Sequence, residues 1–199
     1  MKLKNILTGF MICLISSLVL TLAVFSFIRE SKRPPLPILG KVDPFLLTDS
    51  KGESFSSDRL HRKVWIASFF FTTCGDICPI LSKNMASLSR TFDQVEEIAF
   101  VSITVNPEQD SPEVLTRYAG NFKGGKRNWY FLTGTREAIT HVVVDGFKLG
   151  DIREPVFHSA SFALVDSEGK IRGYYDGTKQ KEIDRLFRDT VQLAKEMKR

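Results

Sequence analysis

The chain has 199 residues, 43% of them hydrophobic and 26% charged, a balance that excludes a disordered or low-complexity protein. Three cysteines in that length exclude a disulfide-stapled miniprotein. The net charge of +5 is concentrated at the start: residues 1–33 carry Lys2, Lys4, Arg29, Lys32 and Arg33 against Glu30, while the remainder holds 23 basic and 22 acidic side chains. A nucleic-acid-binding domain keeps its positive charge on the folded part, so no nucleic-acid partner is expected.

Ile6 to Ile28 is a run of 23 residues without a charge. As a helix it would be roughly 34 Å long, enough to cross the ~30 Å hydrocarbon core of a bilayer. A cleaved signal peptide has a shorter apolar core and a small-residue cleavage site. Ala23-Val24-Phe25-Ser26-Phe27-Ile28 offers no such site, and Phe10-Met11-Ile12 before Cys13 makes a poor lipoprotein signal. Residues 1–33 are therefore expected to be an uncleaved membrane anchor with basic flanks. Those flanks are nearly balanced, so charge does not orient it. Cys13 reads as a small apolar residue within the span.

A Pro-rich spacer, Ser31 to Pro37, precedes one folded unit, and residues 34–199 are assigned to it. Phe45 to Asp49 leads into a turn at Ser50-Lys51-Gly52-Glu53. Val64 to Phe71 is continuously apolar and predicts a strand buried on both faces. A helix is predicted from about Pro79 to Phe92, and a second buried strand over Ile98 to Val105. Ser111 caps a helix with Pro112 at its first position, running to about Asn121. Trp129 to Thr133 is a short strand. Thr135 to Val144 reads as a helix weakened by Val142-Val143-Val144. Ser161 to Val165 and Ile171 to Tyr175 are strands joined by the Asp166-Ser167-Glu168-Gly169 turn. Lys181 to about Lys195 closes the chain as an amphipathic helix, with Ile183, Leu186, Phe187, Thr190, Val191 and Ala194 on its buried stripe. Alternation of this kind predicts an α/β sandwich on a mostly parallel central sheet, ending in an antiparallel hairpin. Its chemistry is expected at the carboxyl end of the first long strand.

At that end stand Thr72-Thr73-Cys74-Gly75-Asp76-Ile77-Cys78-Pro79. If helical geometry begins at Cys74, the two cysteines share one face with Cβ atoms about 5–6 Å apart. That is near enough for a disulfide after adjustment, or for two sulfurs to hold one metal ion. A helix N-terminus favours a thiolate, and the Asp76 carboxylate opposes it. A soft metal on two thiolates would gain another donor from His61, His141, His158, Met85 or Met197. His61 reads as solvated, His141 as packed or on the surface, and Met85 as core. His158 ends the loop Arg153 to His158 just before a strand, and such a loop can approach the start of the first helix. Two thiolates and an imidazole suit copper. No second Cys-x-x-Cys or adjacent His completes a structural zinc tetrahedron.

These stretches resemble the SCO/SenC family of thioredoxin-fold copper proteins. The likeness lies in Phe70 to Pro79, Val101 to Glu108, Asp110 to Leu115, Asn128 to Thr135, His158-Ser159-Ala160 and Leu164-Val165-Asp166, in family order. It implies a thioredoxin-like sandwich with a central mixed sheet behind one N-terminal transmembrane helix. It implies copper, Cu(I) or Cu(II), bound by Cys74, Cys78 and His158. It further implies delivery of copper to, or reduction of the thiols of, the copper-centre subunit of cytochrome c oxidase or another copper/thiol protein. With the simple N-terminus it implies a single-pass protein of a bacterial inner membrane, its folded domain in the periplasm. The chain departs from the family at Asn106, where Asp is usual, and at Gly75, where Pro is commoner. Read as an enzyme instead, Cys74 and Cys78 form the redox pair of a thiol–disulfide oxidoreductase, one attacking and one resolving. A thiol peroxidase would need a low-pKa cysteine, which Asp76 disfavours.

Overall fold

The computed structural model describes residues 11–22, 34–125, 127–149 and 160–198. The chain divides into two compact units, Met1–Pro35 and Leu36–Arg199. In the first, residues 11–22 are helical (α1), with Leu14, Leu18 and Leu22 each more than half exposed. No helix among the described residues is long and apolar enough to cross a membrane, and residues 6–10 and 23–28 of the expected span lie outside them.

The second unit runs β1 (Gly40–Lys41), β2 (Leu46–Asp49), β3 (Ser54–Ser56), a 3-10 turn (Ser57–Leu60), β4 (Val64–Phe70) and α2 (Ile77–Thr91). It continues with β5 (Ile98–Thr104), α3 (Pro112–Gly120), β6 (Trp129–Thr133), α4 (Arg136–Thr140), a π-helical turn (His141–Gly146), β7 (Ser161–Val165), β8 (Lys170–Asp176) and α5 (Gln180–Glu196). Among the described residues the strands form one sheet in the order β1-β8-β7-β4-β5-β6-β2-β3. Only β4, β5 and β6 run parallel; β7 lies antiparallel against β4, and β2 against β6. The sheet is thus mixed rather than mostly parallel.

All seven residues of β4 are buried, as its uninterrupted apolar run requires. Its side chains alternate between faces. Trp65, Ala67 and Phe69 enter one cluster with Leu47, Phe55, Ile139, Val142, Val143 and Phe147. Val64 and Ile66 enter another with Leu81, Met85 and Leu88 of α2 and Ile183, Leu186 and Leu193 of α5. On α5, Thr190 is fully buried, while Phe187 stays at the margin and stacks on Phe92 at 5.2 Å. The helix expected over Thr135 to Val144 widens after Thr140, where the valines begin. Beyond the wider turn, Phe147 sits edge-on to Trp65 (5.7 Å) and Phe69 (5.0 Å).

Both predicted turns use glycine at positive φ, Gly52 at 82° and Gly169 at 78°. The loop before β6 needs glycine for a different reason. Gly125 donates its N–H to Ser89 Oγ (2.9 Å), and a Cβ there would sit 2.4 Å from Asn128 Oδ1 and 2.6 Å from the Ser89 carbonyl oxygen. A Cβ at Gly75 would meet nothing within 4 Å. Gly125→Ala is expected to lose about 1–3 kcal/mol in urea unfolding through overpacking, with Gly75→Ala close to wild type.

Candidate metal centre

The site grows from the end of β4. After Phe70 the chain turns, with the Cys74 N–H donating to the Phe71 carbonyl (3.2 Å), and α2 begins at Ile77. The helix therefore starts after Cys74 and two residues before Pro79. The cysteines meet across a turn and a first helical turn, not along one helical face. Pro79 lies in that first turn, where it has no N–H to lose. Both thiols are free and buried, Cys74 7% and Cys78 3% exposed.

Their surroundings are aromatic and aliphatic: Phe70, Leu115 and Phe131 are buried with them, and Phe71, Ile77, Tyr118 and Trp129 pack against the group. Phe70 stacks on Tyr118 at 4.9 Å and stands edge-on to Phe131 at 5.9 Å. The Tyr118 hydroxyl shares a hydrogen bond with Ser82 Oγ on α2 (2.9 Å). Burial, reinforced by the nearby Cys78, Cys74 and Asp110 and partly offset by Ser82, pushes that hydroxyl up to about 12. It stays protonated at neutral pH.

The two thiols differ. Burial acts to raise Cys74, but hydrogen bonds from the Cys78 thiol and from the backbone N–H groups of Asp76, Cys78 and Ile77 outweigh it and hold Cys74 below its ordinary value. This is the anion-holding geometry of a helix N-terminus. Asp76 is exposed and acts on Cys74 through its backbone, so its expected opposition to a thiolate does not prevail. Burial first, then the hydrogen bond with Cys74, pushes Cys78 up to about 12; the Phe71 backbone offsets part of this, and Cys74 and Asp110 add to it.

Asp110 is the residue that sequence reasoning did not single out as part of the site. It is fully buried, and its oxygens accept from the Thr72 N–H (3.1 Å), the Thr72 hydroxyl and the Thr104 hydroxyl (2.5 Å). Its sequence signals were its place immediately before the Ser111 cap of α3 and its position at the head of a stretch that carries the family likeness.

His158 lies outside the described residues. The strand after it is described: β7 pairs Ala163 with Ala67 and Val165 with Trp65, so it enters the sheet where β4 leaves it. The other candidate donors are elsewhere. His141 is exposed against Asp145 (3.1 Å), His61 is exposed at the end of the 3-10 turn, Met85 is fully buried between α2 and the sheet, and Met197 packs on that same core. No group of three or more His, Cys, Asp or Glu among the described residues is arranged to hold a metal.

The inequality of the thiols gives a direct test. In an iodoacetamide time course at pH 7–8 read by peptide mass mapping, Cys74 is expected to be modified ahead of Cys78. Equal rates would contradict the asymmetry.

Comparison with known proteins meets the same elements. The SCO1/SenC family model matches residues 39–195. A "SCO1 protein homolog" of Bacillus subtilis (strain 168) is 31% identical over 160 residues, covering 77% of this chain and 82% of the relative. Among solved structures, BsSco, described as a member of the Sco family of cytochrome c oxidase assembly proteins, superposes with a TM-score of 0.71 at 30% identity, covering 80% of this chain and 97% of its own. Yeast Sco1 with copper bound gives a TM-score of 0.60 at 26% identity, covering 74% and 86%. With the match running from before β1 into α5, and the thioredoxin-like fold shared, the chain belongs to the SCO1/SenC family.

Proposed function

We propose that this chain is a membrane-anchored copper chaperone that holds one copper ion through Cys74, Cys78 and His158. Its cargo goes to the copper centre of cytochrome c oxidase, or its dithiol reduces a disulfide between that centre's cysteines to the two thiols. The observation that carries the reading is the buried, free thiol pair at the start of α2, in a family whose yeast member has been solved with copper bound. Two soft sulfurs select Cu(I), and an imidazole serves either copper state.

The chain's own residues divide the work. Cys74 is held toward its thiolate by the first N–H groups of α2. Cys78 keeps its proton until a metal displaces it, so loading releases protons and strengthens as pH rises. His158 is the third donor of this reading, supplied by the loop that feeds β7. The aromatic shell of Phe70, Tyr118 and Phe131 excludes water from the sulfur side. Metal loading and disulfide formation are alternatives, since both consume the same two thiols. In the reductive branch, a client disulfide takes two electrons and two protons from Cys74 and Cys78, which end as a disulfide.

A second reading, a thiol–disulfide oxidoreductase, is favoured by the thiol asymmetry itself. Cys74 suits the attacking role and Cys78 the resolving one. In that reading His158 is dispensable.

The anchor belongs to the proposal as well. The 23-residue uncharged run from Ile6 to Ile28 is long enough for one crossing, within residues 1–33, and would tether residues 34–199 on the periplasmic side of a bacterial inner membrane.

Anaerobic copper titration of the reduced, detergent-solubilised chain decides between the readings. One copper per chain is expected, with binding lost in Cys74→Ala and Cys78→Ala and strongly weakened in His158→Ala. Wild-type affinity in His158→Ala would leave a dithiol without a dedicated metal site and favour the oxidoreductase.

A further inference from the structure

A buried side chain ties the turn carrying Cys74 to the neighbouring strand β5. Asp110 belongs to the segment between β5 and α3, yet both its oxygens face the neighbouring strand's turn. Oδ2 accepts from the Thr72 N–H (3.1 Å) and the Thr104 hydroxyl (2.5 Å), and Oδ1 accepts from the Thr72 hydroxyl. Thr104 Oγ1 in turn accepts from the Asn106 N–H (3.0 Å), and the Asn106 carbonyl accepts from the Asp110 N–H (3.1 Å). The outer part of this segment is fixed separately. Arg136 pairs with Glu108 and donates to the Val105 carbonyl (3.1 Å).

The choice of a carboxylate is informative. A fully buried acid beside two thiols is costly, and it disfavours their ionisation. Two threonines and a backbone N–H could be bridged by a neutral side chain at lower cost. Among side chains of this size, only a carboxylate accepts at both ends without presenting a donor. All three partners here are donors, two of them from Thr72, so Asp110 fixes both the backbone and the side chain of the residue two before Cys74.

We propose that Asp110 is the positioning residue of the thiol pair: by clamping Thr72 to Thr104 it sets the turn that presents Cys74 beside Cys78. Asp110 touches no cargo; it acts through Thr72. The part of the proposal that concerns copper rests on the copper-chaperone reading, and the part that concerns the geometry of the two thiols does not.

The test uses the full chain in detergent, with Cys13→Ser so that only the pair is counted, and adds Asp110→Ala, Thr72→Val or Thr72→Ser. Two quantities are read: Cu(I) affinity by competition with a chromophoric chelator, and the metal-free dithiol–disulfide equilibrium against glutathione. Asp110→Ala and Thr72→Val are expected to lower copper affinity about 10–100-fold, as loss of a group that orients a ligand does. They are expected to shift the glutathione equilibrium toward the dithiol. Thr72→Ser, which keeps the hydroxyl, is expected to restore both. Wild-type values in the folded Asp110→Ala and Thr72→Val proteins would overturn the proposal, as would a Thr72→Ser protein that falls as far as Thr72→Val. If Asp110→Ala fails to fold, the two Thr72 variants decide. If the parent chain binds no copper while Thr72→Val still shifts the glutathione equilibrium, the copper reading fails and the positioning role stands.

Discussion

The site depends on a strand that has no exposed face. β4 is hydrogen-bonded to β5 on one side and β7 on the other, and its side chains fill apolar clusters above and below the sheet. Such a strand cannot slip, because a one-residue shift would exchange the contents of the two clusters. Its end is therefore a fixed point. The turn after Phe70 must emerge there, and α2 must begin close by, since Leu81, Met85 and Leu88 have to reach the same core. The thiol pair inherits its position from these packing demands.

Within that frame, the chemistry is set by small differences in surroundings. Cys74 and Cys78 are four residues apart and both are buried, yet one lies ahead of the helix and the other inside its first turn. Only the sulfur ahead of the helix faces the unpaired N–H groups of the first turn. The other takes the cost of burial with less relief. Asp110 adds negative charge nearby while tying the turn to β5. The result is an unequal dithiol, one sulfur held below its ordinary pKa and the other pushed well above it. That combination suits both a metal that displaces a proton and a stepwise thiol exchange.

Much of this was legible in the residues themselves. The apolar runs of β4 and β5, the bounds of β6 and β7, the Ser111–Pro112 helix start and the two glycine turns follow from local rules that need no partner. So did the cysteine pair and its place at the end of the first long strand. Three features were not legible. The direction of β7 is its antiparallel pairing with β4, a contact between strands far apart in sequence. The π-helical turn ends just before Phe147, which stands edge-on to Trp65 and Phe69. The start of α2 at Ile77 depends on how the turn after β4 closes.

The sequence by itself marked the long strands and helices, set two cysteines at the end of the first long strand and, through its resemblance to a family, raised the expectation of copper. Periodicity, caps and spacing are properties of neighbours along the chain, and they are written in order. Only the tertiary structure decided that Asp110 grips Thr72 across 38 positions, that Tyr118 stands beside Ser82 across 36, and that the two thiols are unequal. Those facts come from burial and from contacts between residues distant in sequence, which no local pattern encodes.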